Sequence, residues 1–242
     1  MKIATASKFF VSTGGNIVER KGEAGLKGDD PIKSLRNGSA SRKIGENIYM
    51  TLGLTGGMGC GKSTAAAFFE RKGFRRIDSD ALVRDVVLAS ADVQAALRER
   101  FGEDVVRGGA VDRRALAARV FGDDAARVWL EELVHPAVFA LWRSMMAAEP
   151  AADWVVEVPL LFEKGLENWF DFTICVASAP ANQLARLEQR GLPRALAEQR
   201  ISKQLPLAHK IELADFVLWN DGTPEFLKDQ IGRLIATLPV AR

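Results

Sequence analysis

Residues 56–63 read GGMGCGKS, between the apolar run MTLGLT (50–55) and the helix-like TAAAFFERKG (64–73). A simple turn needs one or two glycines. Four glycines in eight residues, closed by a lysine and a hydroxyl, match the spacing G-x-x-x-x-G-K-[ST] at Gly56, Gly61, Lys62 and Ser63. The chemistry of each position is legible. Glycines let a backbone curl tightly enough to aim several N–H groups at phosphate oxygens. The helix that follows turns its unpaired N–H groups and positive dipole end toward the same anion. Lys62 adds a full charge for the β- and γ-phosphates, and the Ser63 hydroxyl is placed to coordinate Mg²⁺. This stretch, a P-loop, is expected to bind a nucleoside triphosphate.

Working outward, the chain alternates strand and helix. MTLGLT predicts a buried strand, and residues 62–72 a helix whose apolar face is Ala65, Ala66, Phe68 and Phe69, ended by Gly73. FRRID (74–78), WVVEVPLL (154–161), FTICVA (172–177) and DFVLW (215–219) read as four further strands. Five short apolar strands separated by helices predict a P-loop NTPase-type α/β fold: a parallel five-stranded sheet with helices on both faces. Residues 79–150 contain no convincing strand, and Leu130, Leu133, Val134, Ala137, Val138, Leu141, Trp142 and Met145 form one helical stripe. Pro136 inside that stripe predicts a kink or break near His135.

The 242 residues carry a formal charge of +2, 48% hydrophobic and 26% charged residues, the profile of an ordinary globular protein. So small a charge gives no ground for nucleic-acid binding, and no apolar run reaches membrane-spanning length. Cys60 and Cys175 lack metal-ligand spacing, so a reducing, cytoplasmic setting is expected. Residues 1–49 differ: nine basic against five acidic residues, a net +4, whereas the remainder holds 24 against 26, a net −2. Their scattered Gly, Ser and Asn predict a disordered extension, with residues 50–242 as the folded domain and Met50 as an alternative start.

Phosphoryl transfer needs an acceptor side. No Asn-Lys pair occurs anywhere, which argues against a guanine-specific switch. The second strand ends in IDSD (77–80), where a carboxylate can orient or deprotonate an attacking hydroxyl. Asp80 is read that way. For Asp78 two readings stand, an acceptor contact or the N-cap of the next helix. Residues 182–210 carry Arg186, Arg190, Arg194, Arg200, Lys203 and Lys210 against Glu188 and Glu198, a net +4. That balance fits either a solvated helical face or a lid closing on polyphosphate.

LGLTGGMGCGKST, IDSDALVR, LVHPAV, VEVPLLFE, QLARLEQRG, RISKQLP and ADFVLWNDGT occur in an order that resembles dephospho-CoA kinase, over about residues 50–238. The resemblance implies a P-loop core, a helical CoA subdomain (about 81–150) and a lid (about 182–210). It implies transfer of the γ-phosphoryl group of ATP to the 3′-hydroxyl of dephospho-CoA, with Mg²⁺, as the last step of coenzyme A synthesis. Gly59, Cys60, Gly61, Lys62, Ser63 and Thr64 would form the ATP phosphate site. Asp80 would be the catalytic base, with Thr55 near the acceptor hydroxyl. Arg190 and Arg200 match lid arginines, whereas Arg186 and Arg194 read as surface residues. His135, in LVHPAV, is either a pocket residue for dephospho-CoA or a kink-site histidine. Pro159, Leu160 and Phe162 would line the same pocket or serve as core. Asn220 sits near the adenine or in a turn with Asp221 and Gly222. Cys60 stands where the family often has serine, and a thiol there predicts inactivation by alkylation. Glu157 either reaches Mg²⁺ through water or caps its strand. A monomer or weak oligomer is expected. A kinase for a nucleoside monophosphate or small alcohol and an ATP-dependent switch are the rival readings.

Overall fold

The structure, a computed structural model, describes residues 7–11, 17–21, 42–44 and 47–238, with side chains from Tyr49 to Leu238. It divides into two compact units, one holding the chain up to Arg76 and from Pro150 onward, the other Ile77–Glu149.

In the first unit, β5 (Thr51–Gly56) is buried at all six positions. It pairs in parallel with β9 (Trp154–Glu157) on one side and β10 (Phe172–Ala177) on the other, and β10 pairs in parallel with β11 (Phe216–Trp219). With β6 (Arg75–Asp78) at the β9 edge, these are the five expected strands. The sheet does not stop there. β1 (Ser7–Val11) runs parallel beside β11, with Phe9 opposite Phe216, and β2 (Ile17–Lys21) pairs antiparallel with β1. A separate two-stranded ladder joins β3 (Arg42–Ile44) to β4 (Asn47–Tyr49). Strands thus occupy part of the stretch whose composition predicts disorder; the rest of it lies outside the described residues. The physical reason is local: an edge strand presents a row of unpaired backbone groups, and β1 satisfies those of β11.

Helix α1 (Lys62–Arg71) buries Ala65, Ala66, Phe68 and Phe69 against Leu52 and Leu54 of β5 and against Leu227, Ile231 and Leu234 of α9 (Pro224–Thr237). Each such large side chain contributes about 2 kcal/mol on leaving water. The helix ends as predicted, with Gly73 N–H and Phe74 N–H donating back to Glu70 O and Phe69 O. At the start of the strands, three aspartates act as pins. Asp153 accepts from Met50 N–H at 2.8 Å, Asp171 from Thr51 N–H at 2.7 Å and Asp215 from Thr173 N–H at 2.7 Å. They fix the strand ends remote from the glycine loop. Between β10 and β11 lie α6 (Pro180–Gln189), α7 (Arg194–Ser202) and α8 (Leu207–Leu213).

The second unit contains α2 (Ser79–Leu82), continued by a wider π-turn Val83–Val87, then α3 (Ala91–Phe101), α4 (Arg113–Val120) and α5 (Asp124–Ala148). Two corrections arise here. A two-residue hairpin, β7 (Val106–Arg107) with β8 (Ala110–Val111), sits where no strand was expected. Of the kink or break predicted near His135, the break does not occur: α5 runs unbroken through Pro136 for 25 residues. Its buried stripe of Ala126, Val134, Val138 and Trp142 sustains it there.

Candidate active site

The glycine loop joins the C-terminal end of β5 to α1, and its carbonyls are tied back. Gly56 O and Gly57 O both accept from Lys62 Nζ at 3.1 Å, and Gly61 O accepts from Ala65 N–H at 3.1 Å. Gly59 O accepts from Arg186 Nη1 at 3.4 Å, and Cys60 O from Asn220 Nδ2 at 2.9 Å. The donors are in the opposite condition. Cys60 N–H turns inward to Gly57 O, but the N–H groups of Gly59, Gly61, Ser63 and Thr64 find no acceptor among the described residues. Helix α1 starts at Gly61 with no side-chain cap and no carboxylate in its first turn, whereas Asp112, Asp123 and Thr223 cap α4, α5 and α9. A row of such N–H groups at an uncapped helix start is a ready anion site. Glycine is required at Gly59, where φ is +78° and a Cβ would lie 2.7 Å from Gln183 O, and at Gly61, where φ is +92° and a Cβ would strike the Asn220 amide.

A polar brace behind the loop holds this shape. Arg186, half-buried on α6, also donates to Ser178 Oγ at 2.9 Å and to Asn220 O. Ser178 Oγ bonds Asn220 O at 2.9 Å, and buried Gln183 donates to Ser178 O at 2.8 Å. One expectation is corrected, since Arg186 is not a surface residue, and Asn220 has a role that neither of its readings named: it clamps the loop through Cys60 O. Charge patterning missed Arg186 because its partners are neutral oxygens, two of them backbone, which composition does not reveal. Cys60 is fully buried in the core, and burial pushes its thiol up from its ordinary value, against the lowering pull of Lys62. Both effects of burial, exclusion and protonation, overturn the expected sensitivity to alkylation.

The remaining residues of the first unit divide into engaged and open groups. Thr55, expected near the acceptor hydroxyl, is fully buried and donates from Oγ1 to Pro159 O at 3.2 Å, so it acts on the following turn. Glu157 is buried and paired to Arg76, with Oε1 2.6 Å from Nη2 and 2.8 Å from Nε, a partner that neither of its readings named. Lys210, counted among the lid cations, is buried and bonded to Glu163 at 2.7 Å. Leu160 is exposed and Phe162 half-buried in the turn after β9. Ser63 and Thr64 are exposed on the first turn of α1, and Arg190 and Arg200 are exposed with no ion pair among the described residues.

In the second unit, Asp78 Oδ1 accepts from Ala81 N–H at 2.9 Å, the N-cap geometry of the second reading. Asp80 is exposed in the first turn of α2. His135 is half-buried on α5, its ring 5.8 Å from that of Phe139, in a continuous helix rather than at a break.

Comparison with known proteins identifies the family. The family model described as dephospho-CoA kinase matches residues 50–225. A dephospho-CoA kinase of Thermosynechococcus vestitus is 41% identical over 192 residues, covering 78% of this chain and 95% of that protein. One from Syntrophotalea carbinolica is 39% identical, covering 78% and 92%. A solved structure from Thermus thermophilus superposes with a TM-score of 0.70 at 36% identity, over 78% of this chain and 98% of that one. The dephospho-CoA kinase of Campylobacter jejuni shares the fold, with a TM-score of 0.53 at 22% identity over 77% and 95%. With more than two thirds of its length matched and an uncapped, glycine-built anion cradle in the matched region, the chain belongs to the dephospho-CoA kinase family.

Proposed function

We propose that this chain transfers the γ-phosphoryl group of ATP to the 3′-hydroxyl of dephospho-CoA, releasing CoA and ADP. The observation that carries this reading is the glycine loop, where five carbonyls, from Gly56, Gly57, Gly59, Cys60 and Gly61, are bonded away while the N–H groups of Gly59, Gly61, Ser63 and Thr64 have no acceptor among the described residues, in a chain of this family. Those donors would hold the β- and γ-phosphates. Lys62, now resting on Gly56 O and Gly57 O, would exchange those neutral carbonyls for phosphate oxygens, a charge-assisted and stronger bond.

Mg²⁺ bound by ATP usually keeps water and phosphate ligands and takes only one or two groups from the protein. The exposed Ser63 hydroxyl beside the cradle fits that single role. When bound, the ion neutralises charge on the β- and γ-oxygens. Asp80 would accept or orient the ribose hydroxyl proton as the new P–O bond forms and the β–γ bridging bond breaks. A loose transition state demands orientation more than base strength. Arg190 and Arg200 would supply positive charge to the transferring group, while His135, Pro159, Leu160 and Phe162 would line the acceptor side, with Asp78 fixing the helix that carries Asp80. We further read the chain as cytoplasmic, in keeping with its two free cysteines, and as a monomer or weak oligomer.

The test is direct. Purified protein with ATP, Mg²⁺ and dephospho-CoA should release CoA and ADP in equal amounts, and Asp80→Asn should lower kcat by about 10²–10⁴-fold with ATP binding retained. Equal release of ADP with AMP, UMP or shikimate as acceptor, or ADP without CoA, would replace this function with one of its rivals.

A further inference from the structure

Lys210 is the one lysine among the described residues that is fully buried. Its ammonium bonds Glu163 Oε1 at 2.7 Å and Pro159 O at 2.8 Å. Pro159 O also receives Thr55 Oγ1 at 3.2 Å, and Glu163 Oε1 also accepts Leu205 N–H at 3.0 Å. Four segments therefore meet at two oxygen atoms: the end of β5 just before the glycine loop, the turn after β9, the link between α7 and α8, and α8 itself. The other carboxylate oxygen, Glu163 Oε2, is buried with no hydrogen-bond partner.

Such a pair is a poor device for stability alone. Removing two charges from water costs as much as their attraction returns, and apolar residues of similar volume usually serve a core equally well. What the pair does supply is direction. An ammonium with two fixed acceptors locks the turn 159–165 to α8, the Thr55 hydroxyl ties the same turn through Pro159 O to the strand that feeds the phosphate cradle, and one carboxylate oxygen locks it to the chain leaving the arginine-bearing helix α7.

We propose that the Glu163–Lys210 pair is a positioning latch that holds the acceptor-side turn and the base of the lid in one register with the phosphate loop. In its functional consequence this rests on the dephospho-CoA kinase reading, which assigns Pro159, Leu160 and Phe162 to the acceptor side. Neither residue touches a reactant; both act through Pro159, Thr55 and Leu205. The latch is expected to govern acceptor use, whereas the cradle has its own brace in Arg186 and Asn220.

Single substitutions such as Lys210→Met leave a lone buried charge and threaten folding. The decisive protein is therefore the double variant Glu163→Leu with Lys210→Met, which keeps the volume and removes both charges. It should fold with a melting temperature near the parent's and bind ATP within about threefold of it. Its kcat/KM for dephospho-CoA should fall at least about tenfold, through KM as well as kcat. Hydrogen exchange provides a readout independent of substrate: the Leu205, Gly165 and Leu166 amides should exchange at least about tenfold faster in the double variant, with the amides of β5 unchanged. If exchange and kcat/KM both match the parent, the latch is refuted. Equal losses in ATP and dephospho-CoA binding would refute it too, by showing a general loosening. If the parent itself leaves dephospho-CoA unphosphorylated, the function fails, and hydrogen exchange alone still decides whether the latch exists.

Discussion

Gly59 turns its carbonyl toward the Arg186 guanidinium, and that contact shows how the cradle is shaped from outside the motif. Arg186 spans Gly59 O, Ser178 Oγ and Asn220 O, so its loss leaves three acceptors without their charged donor. Hydrogen bonds to a charged group are worth about 1.5–3 kcal/mol each, but water can refill part of a half-exposed site. Arg186→Ala is therefore expected to weaken ATP binding about tenfold, roughly 1.4 kcal/mol, while leaving the sheet intact. Arg186→Lys should recover little, because an ammonium lacks the planar fork that reaches separated acceptors. Calorimetric titration with a non-hydrolysable ATP analogue measures this, and parental affinity in Arg186→Ala would show that the loop keeps its shape unaided. The motif residues were legible because their chemistry is local: Gly61, Lys62 and Ser63 stand at fixed spacing. The roles of Arg186 and Lys210 were not, since a charge count treats an arginine on neutral loop oxygens, a lysine in the core and a solvated cation alike.

Among the elements, α1 and the strands β5, β6, β10 and β11 lie within about a residue of their sequence limits, because short apolar runs bounded by glycine or aspartate leave little choice. β9 is the exception. An eight-residue strand was expected over 154–161, but the strand ends at Glu157, the last bond to β5 comes from Val158 N–H to Leu54 O, and Pro159 has no N–H to extend the ladder. Proline misled in the opposite sense at Pro136. Helix α5 continues through it, and the carbonyl of Glu132 loses the N–H that any other residue would donate. Pro136 is exposed, so water can solvate that carbonyl, but the cost of an interior proline remains. Pro136→Ala is expected to stabilise the protein by about 1–3 kcal/mol, seen as a higher melting temperature. A lower melting temperature would mean that the proline ring itself is packed in a way that alanine cannot replace.

On the scale of the whole molecule, apolar sequence dictates both the sheet and its two buried thiols. Cys175 lies in the middle of β10 and Cys60 beneath α1, each with no exposed surface. Burial pushes the Cys175 thiol up to about 12, and burial raises that of Cys60 as well. An unfolded thiol ionises at about pH 8.5. The sign follows from these positions: each folded group holds its proton more tightly than the unfolded one, so its stabilising effect is complete below about pH 8.5. As pH rises, the unfolded chain loses protons that the folded chain keeps, and stability drains until the folded thiols themselves ionise, near pH 12 for Cys175. The limiting slope is about 1.4 kcal/mol per pH unit for each thiol. Other groups titrate in the same range, so the measurement must be a difference. Denaturant unfolding of the parent and of Cys175→Ala between pH 8 and 11 should give curves that converge as pH rises. The variant starts lower because of the small cavity it opens, and then loses less per pH unit. Parallel curves would mean that solvent reaches β10 well below the unfolding transition, and the sheet would then have to open locally at the strand beside the phosphate loop.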